Sequence, residues 1–406
     1  MPELLCDHPP GLSADGPVAR RILVSSTAQA RRAVATAVAG GHRIASSAAA
    51  RTGAPDTARR PPCAIVDLSA MNAVHFDPER GAFAVEAGAR PADVQRILYQ
   101  RWGVTVPPAA GPRPCGLGCH RPLAPHGLSD AYTCAVEVVL VDAYGQTRAV
   151  VATGAPGDPH RDLWLAHTTV GAEQIGLVTR YWFRTPGSLG DDPAALLPRA
   201  PSALLSSVVV MPNGELGQRQ LPALLHNYRR WRQHRPHTNA RAAYRSVFGG
   251  IALSGPRRDI GVGAVLALHV DSAVPEAEQA LRTDRAALTA GLTLSDRCRV
   301  LPPRRLPWLA QWHTLPPAPA DPAGLLPVEA DCDCELCSVT TSALCAPGGT
   351  CTDSLIALDA FSYGPGGTSA PTATGTPHHR THAPHCRTGL QTRMAKAAWD
   401  PRGVFL

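Results

Sequence analysis

Long apolar runs are missing from this sequence: no stretch reaches the roughly 20 residues that a membrane-crossing helix needs. The start, MPELLCDHPPGLSADG, also lacks the basic and apolar regions of a signal peptide. The expectation is a cytoplasmic protein without membrane contact. Aromatic residues are scarce at 5%, too few to furnish a surface on which bases could stack. Lysine is almost absent, since of 39 basic residues only Lys396 is not an arginine. That bias reads as GC-rich, actinobacterial-type coding and carries no mechanism. The arginines stand singly or in short pairs, so the net charge of +7 does not form the basic stripe that nucleic acid requires. No Ser-His-Asp signature, phosphate-binding P-loop or acidic metal motif occurs.

What is present fits a globular protein. A length of 406 residues with 44% hydrophobic and 17% charged residues suits two core-bearing domains. The 40 prolines and 36 glycines call for long loops. Twelve cysteines in a chain of this kind read as free thiols, or at best metal ligands, and not as a disulfide framework.

The first 187 residues alternate helical and strand patterns. After the hydroxyls of SST at 25–27, AQARRAVATAVAGG places Ala30, Ala33, Val34, Ala37 and Val38 on one helical face and closes on Gly40 and Gly41. A strand is expected over 43–46, another in CAIVDLS (63–69), and a half-buried one in GAFAVEAG (81–88), where Phe83, Val85 and Ala87 alternate. A helix begins near Pro91 and turns Val94, Ile97 and Leu98 inward. AVEVVLVDAYGQ (135–146) reads as a buried strand running into a turn, and LVTRYWFRTPG (177–187) as a strand ended by Pro-Gly.

SLGDDPAALLPRAPS at 188–202 reads as an interdomain linker. Beyond it, ALLSSVVVMP and GVGAVLALHV are strands, LPALLHNYRRWRQH and PEAEQALRTDRAALTAG are helices, and together they predict a second α+β domain. From about 302 the pattern weakens, and LPPRRLPW, TLPPAPADPAG and GPGGTSAPTATGTPHHRTHAPHC are loop-like by composition. A short helix is expected again within 390–405.

Two side-chain constellations invite functional readings. Cys332, Cys334, Cys337, Cys345 and Cys351, with His378, His379, His382, His385 and Cys386 downstream, could supply the four close ligands of a zinc site, though the spacing is that of no standard finger or ribbon. A degenerate exposed loop is the simpler account, and no metal is assigned. Asp67, Glu86 and Glu137 fall on strands and are expected on solvated faces or strand ends, in structural roles.

Three segments together resemble the berberine bridge enzyme-like FAD-linked oxidases, whose flavin domain is of the vanillyl-alcohol oxidase or PCMH type. They are AIVDLSAMNAVHFDPERGAFAVEAGARPADVQRILYQRWGVTVP (64–107), HGLSDAYTCAVEVVLVDAYGQTRAVVAT (126–153) and MAKAAWDPRGVF (394–405). The resemblance implies an α+β protein: a two-subdomain PCMH-type FAD-binding domain over 1–187, a shortened antiparallel-sheet substrate domain over 188–377, and a segment over 378–406 that returns to the FAD domain. It also implies FAD, a small-molecule substrate and O2, with no nucleic acid and no membrane partner. The chemistry implied is hydride removal from an alcohol, a sugar, or a phenolic or polyketide metabolite to the flavin.

Carried over position by position, the resemblance places Arg51 where the family has a flavin-bound histidine, with Ala49 and Ala50 at two glycines. Pro112, after Gly111, takes the place of the family's flavin-bonding cysteine, while Gly116, Gly118 and His120 are kept. Cys115 and Cys119 lie nearby, but the implied flavin is non-covalent. Gly127 and Leu128 belong to the next element. VGAEQIG (170–176) stands for a glycine-rich run, of which Gly171 and Gly176 survive before Val178, with His167 and Arg180 on either side. Tyr363 is the catalytic base that the matching strand offers. The altered positions motivate one alternative, a flavin-free, inactive relative acting as a binding protein or a decayed gene product.

Overall fold

The computed structural model describes residues 20–47, 63–106, 113–115, 119–121, 130–170, 175–216, 220–233, 244–254, 261–313, 354–362 and 394–405. The fold is α+β. It begins with a small parallel sheet of β1 (Arg20–Leu23), β2 (Arg43–Ser47) and β3 (Cys63–Asp67), in the order β1-β3-β2. Helix α1 (Thr27–Ala39) crosses over between β1 and β2 and buries Ala30, Ala33, Val34 and Ala37, with Val38 half-buried, as its 3.6-residue period dictates. Ser26 caps its start by accepting from the Gln29 N–H, and Gly41, at φ 72°, lets the chain turn back.

A five-stranded antiparallel sheet follows. It contains β4 (Val74–Asp77), β5 (Ala82–Glu86), β8 (Thr133–Val141), β9 (Thr147–Thr153) and β10 (Leu177–Phe183) in the order β4-β5-β10-β8-β9. The expected half-buried alternation of β5 is not what forms: Ala82, Phe83, Ala84 and Val85 are all at 0% exposure. The outward face is covered as well, because Trp182 of β10 lies over Ala82, Ala84 and Ala135, with the guanidiniums of Arg80 and Arg180 over its ring. Small alanines on that side admit the indole. Helix α2 (Pro91–Trp102) packs Val94 and Leu98 inward, with Ile97 half-buried, and ends at Gly103 with φ 68°. It also buries Gln95, whose amide is satisfied by Val106 O and the Thr105 hydroxyl. A hairpin of β6 (Arg113–Cys115) and β7 (Cys119–Arg121) and a short helix α3 (Arg161–Leu165) complete this half.

The segment 188–202 is no free tether. Leu196 and Leu197 are buried in the same core, Pro198 O accepts from Thr105 N at 2.9 Å, and Ala200 N donates to Gly103 O at 2.9 Å. The chain then enters a six-stranded antiparallel sheet: β11 (Ala203–Leu216), β12 (Arg245–Ser254), β13 (Gly261–Asp271), β14 (Arg299–Val300), β15 (Arg304–Pro307) and β16 (Ser354–Ser362). The order is β14-β11-β13-β12-β16, with β15 also on β11. Helices α4 (Leu221–Gln233) and α5 (Ala277–Thr289) cover one face, joining Leu224, Leu225, Tyr228, Leu281 and Leu288 to Val209, Met211, Val247, Leu266, Leu268 and Val270.

LPPRRLPW corrects the expectation of an unstructured run. Arg299 and Val300 pair with Val210 and Val209, and Arg304 pairs with Ser206, so residues 301–303 stand opposite only Ser207 and Val208. The extra residue is a bulge on an edge strand, where prolines without an N–H are tolerated. Trp308 behind it is 1% exposed and meets Tyr244 edge-on at 4.8 Å.

The last described segment, with a helix over 394–399, comes back to the first sheet. Phe405 bridges Ile44 in parallel, and Ile44 N donates to Val404 O at 2.8 Å. The chain's single lysine holds this return in place: Lys396 Nζ donates to Asp400 Oδ2 and to Phe405 O, both at 2.9 Å. The Asp400 carboxylate in turn accepts from Val404 N and Phe405 N. No helix among the described residues is long and apolar enough to cross a membrane.

Candidate functional site

Because β1, β2 and β3 are parallel, their carboxyl ends share one edge, with Leu23 and Ser47 both in register with Asp67. Helix α1 starts at that same edge. In open parallel sheets this is where ligands gather, and the first N–H groups of a helix favour phosphate there. The edge is tied to the second sheet through Glu137, whose Oε2 accepts from Thr27 Oγ1 at 2.6 Å and from Thr179 Oγ1 at 2.8 Å. Glu137 is thus mid-strand and bonded, not on a solvated face.

Asp67 and Glu86 do sit at strand ends. Burial pushes the Asp67 carboxyl up, but the Ser69 N–H and the Arg21 guanidinium, at 2.7 Å, outweigh it and hold the group below the usual range. Glu86 accepts from Ala73 N at 2.9 Å and faces Arg180 at 3.6 Å. The turn after β3 is tightened by Gly88: a Cβ there would lie 1.8 Å from Leu68 O and 2.8 Å from Met71 O. These bonds fix the scaffold from which the loops depart.

Of the residues expected to meet a flavin, Arg51, Gly111, Pro112, Gly116, Gly118, Gly127 and Leu128 lie outside the described residues, as does Tyr363, the residue after β16. Cys115 and His120 fall on the two strands of the β6–β7 hairpin, Cys115 opposite Cys119 and His120 opposite Pro114. Gly176 and Val178 are placed at the start of β10. Gly176 has φ 88°, and a Cβ on it would come within 2.5 Å of Val138 Cγ1. Val178 is buried opposite Val138. Both positions are set by packing against β8. His167 is buried on the π-turn Ala166–Val170 that leads to them, its Nε2 3.1 Å from Ile175 O. Arg180 Nε is buried with no hydrogen-bond partner among the described residues.

The Cys- and His-rich stretches at 332–351 and 378–386 lie outside the described residues, among which no group of three metal-binding side chains occurs. Cys134 and Cys298 are free thiols. Burial pushes the Cys134 thiol up to about 11, and its Sγ donates to Trp182 O at 3.3 Å, so it is protonated and unreactive.

The large sheet holds a polar pair that nothing in the sequence pattern flags. His269, in an otherwise apolar strand, lies between Ser206 and Ser246 in register, on the side away from α4 and α5. Ser246 Oγ and His269 Nδ1 are 3.1 Å apart, and both residues are 1% exposed. Burial alone takes the imidazole down to about 4, so it is neutral at pH 7. On this same side Leu204, Tyr244 and Trp308 pack against Ala200, with Tyr99 of α2 against the cluster. The first half of the chain therefore closes one end of this face.

No protein-family model matches the chain. Over 235 residues it is 38% identical to aclacinomycin-N/aclacinomycin-A oxidase of Streptomyces galilaeus, which covers 56% of this chain and 42% of that protein. The crystal structure of aclacinomycin oxidoreductase superposes with a TM-score of 0.56 at 34% identity, covering 72% of this chain and 59% of the other. A flavoenzyme of the shunt-product recycling mechanism in caerulomycin biosynthesis gives the same values. The chain thus spans less than two thirds of the length of these relatives. An oxidoreductase of the terminal step of gilvocarcin biosynthesis, solved with pregilvocarcin, matches 95% of this chain with a TM-score of 0.61, but at 18% identity that is a likeness of fold alone.

Proposed function

We propose that the chain, which is similar in sequence and fold to aclacinomycin oxidase and shares the fold of other flavin-linked oxidases, is an FAD-dependent oxidoreductase of the berberine bridge enzyme-like kind with a PCMH-type flavin domain. Its substrate on this reading is an alcohol, a sugar, or a phenolic or polyketide metabolite of secondary metabolism, with O2 as the final acceptor. The observation that carries it is the edge where three parallel strands and the start of α1 meet, clamped to the second sheet by Glu137, Thr27 and Thr179. The flavin-binding domain is taken as 1–187, the substrate domain as 188–377 and the returning segment as 378–406.

The scaffold fits FAD. The tight turn at Gly88 and the positive-φ start of β10 at Gly176 hold the backbone from which the loops spring. Arg51, Gly111, Pro112, Cys115, Gly116, Gly118, His120, Gly127 and Leu128 would hold the cofactor, with Gly176 and Val178 at the base of the last loop. With Pro112 at the family's cysteine position, the binding is non-covalent. When bound, FAD supplies the electron sink and the route to O2, chemistry that the protein's own side chains lack. The chain's part is to orient the substrate and to take its proton, for which Tyr363, following the end of β16, is the proposed base.

Anaerobic addition of substrate should bleach the flavin absorbance, and air should restore it. Tyr363→Phe should slow the bleaching by about 10²-fold or more. A folded protein that binds FAD yet is bleached by none of a panel of alcohols, sugars and phenols would favour an inactive relative.

A further inference from the structure

The short hairpin of β6 and β7 pairs Arg113 with Arg121, Pro114 with His120 and Cys115 with Cys119. Residues along a strand alternate between its two faces. The arginine pair and the cysteine pair therefore share one face, and the proline–histidine pair takes the other. Residues directly opposite in an antiparallel ladder have Cα atoms about 4.5 or 5.5 Å apart, and both values lie inside the roughly 4.4–6.8 Å span of a disulfide. The register alone thus sets two thiol-bearing residues at bonding separation.

The composition of that face suits reactive thiols. Neighbouring guanidiniums favour the thiolate, which is the form that attacks peroxides and disulfides. The thiolate in turn offsets the cost of like charges placed directly opposite each other, as Arg113 and Arg121 are. A structural staple is the weaker account, because a bond closing only the loop 115–119 removes little freedom from the unfolded chain. Cys134 shows the opposite case: it is buried, protonated and bonded to Trp182 O.

We propose that Cys115 and Cys119 form a redox site, a dithiol that hydrogen peroxide closes into a cross-strand disulfide. One thiolate attacks a peroxide oxygen, the O–O bond breaks, and the departing hydroxide takes up the thiol's proton as water, leaving a sulfenic acid. The second sulfur, giving up its own proton, attacks the first; the S–O bond breaks and a second water leaves. The two sulfurs together lose two electrons and two protons, and the peroxide that receives them becomes two waters. The source of peroxide rests on the oxidase reading above, in which O2 reoxidises the reduced flavin beside Gly116, Gly118 and His120 of this same turn. Once closed, the bond fixes the hairpin and leaves neither sulfur able to attach to the flavin.

The test treats the full chain with a small excess of hydrogen peroxide, removes the excess with catalase, and unfolds the protein in an alkylating agent before peptide mapping by mass spectrometry. Arg113 and Arg121 both precede proline, so trypsin leaves Cys115, Cys119 and Cys134 in one peptide. That peptide should lose two hydrogens and carry one alkyl group, on Cys134. Cys119→Ser should stop at a sulfenic acid on Cys115 that dimedone traps. Arg113→Gln combined with Arg121→Gln should slow closure by about tenfold, the effect of one pKa unit on the thiolate. Cys134 left unalkylated before unfolding shows that each variant keeps its sheet. Alkylation of both Cys115 and Cys119 after peroxide, a bond from either to another cysteine, or undiminished closure in the double arginine variant would overturn the proposal. Closure by added peroxide in a chain that never takes up FAD would sink the oxidase reading and leave this site standing. Closure during substrate turnover that catalase prevents supports both.

Discussion

The two large sheets are both antiparallel, yet they bury themselves differently. In the five-stranded sheet both sides are covered: Phe83 and Val85 face the main core, while Ala82, Ala84 and Ala135 lie under Trp182. In the six-stranded sheet one side is sealed by α4 and α5 and the other passes from buried His269 to solvent-exposed Val265 within four residues of a single strand. A sheet covered on both sides is a rigid frame for loops. A sheet with one open side presents a row of side chains that a ligand can cover.

If the first sheet is a closed frame, its tightest points should tolerate nothing. Gly88→Ala would drive a methyl into the Leu68 carbonyl, which is backbone and cannot swing away, so it should cost on the order of 4 kcal/mol or more by urea unfolding. Gly41→Ala, where nothing lies within 4 Å, should cost only about 1 kcal/mol for its positive φ. The Asp400 clamp comes next. Its carboxylate is 0% exposed and neutralises Lys396, so Asp400→Asn should lower stability by about 3 kcal/mol, read as a drop in Tm.

Neighbouring residues of β13 sharpen the contrast between the two sides of the second sheet. Leu266→Ala on the sealed side should cost about 3 kcal/mol, whereas Val265→Thr on the open side should stay within about 0.5 kcal/mol. Equal costs would mean that the open side is not open.

His269 gives the same sheet a pH signature. Its folded pKa of about 4 lies below the ordinary histidine value of 6.5, so the unfolded chain binds the extra proton first as pH falls. Stability from this group is therefore intact above about pH 6.5 and is lost progressively down to about pH 4, by up to roughly 3 kcal/mol. His269→Gln should flatten that stretch of the stability curve. Asp284 works in the opposite direction: burial raises its carboxyl and Arg245 at 3.0 Å only partly offsets this, so it favours the native state as pH falls.

Much of the frame was legible because periodicity reports burial directly. The inward stripes of α1, α2, α4 and α5 and the apolar runs of β8, β10 and β13 needed no tertiary information. What failed had a local cause in each case. β9 reads TRAVVAT and is half-buried along most of its length, with Ala152 alone fully buried, so its residues carry no strong alternation. β5 reads as half-buried because alanine is ambiguous until an indole is known to cover it. The prolines of LPPRRLPW disguise an edge strand with a bulge. Glu137 looks solvated until Thr27 and Thr179, 110 and 42 residues away, are brought to it. The Ser246–His269 pair has no signal at all, since a single histidine in an apolar strand fixes neither its partner nor its side. The cofactor residues came from resemblance alone, and most of them lie outside the described residues.

The central claim is that the closed frame still carries FAD. An absorbance spectrum of the purified protein from 300 to 550 nm, taken before and after acid precipitation, addresses it directly. The account predicts a flavin spectrum that moves to the supernatant on precipitation. A folded but colourless protein that takes up no added FAD would contradict it, and colour retained in the pellet would overturn the non-covalent mode and implicate Cys115 or Cys119.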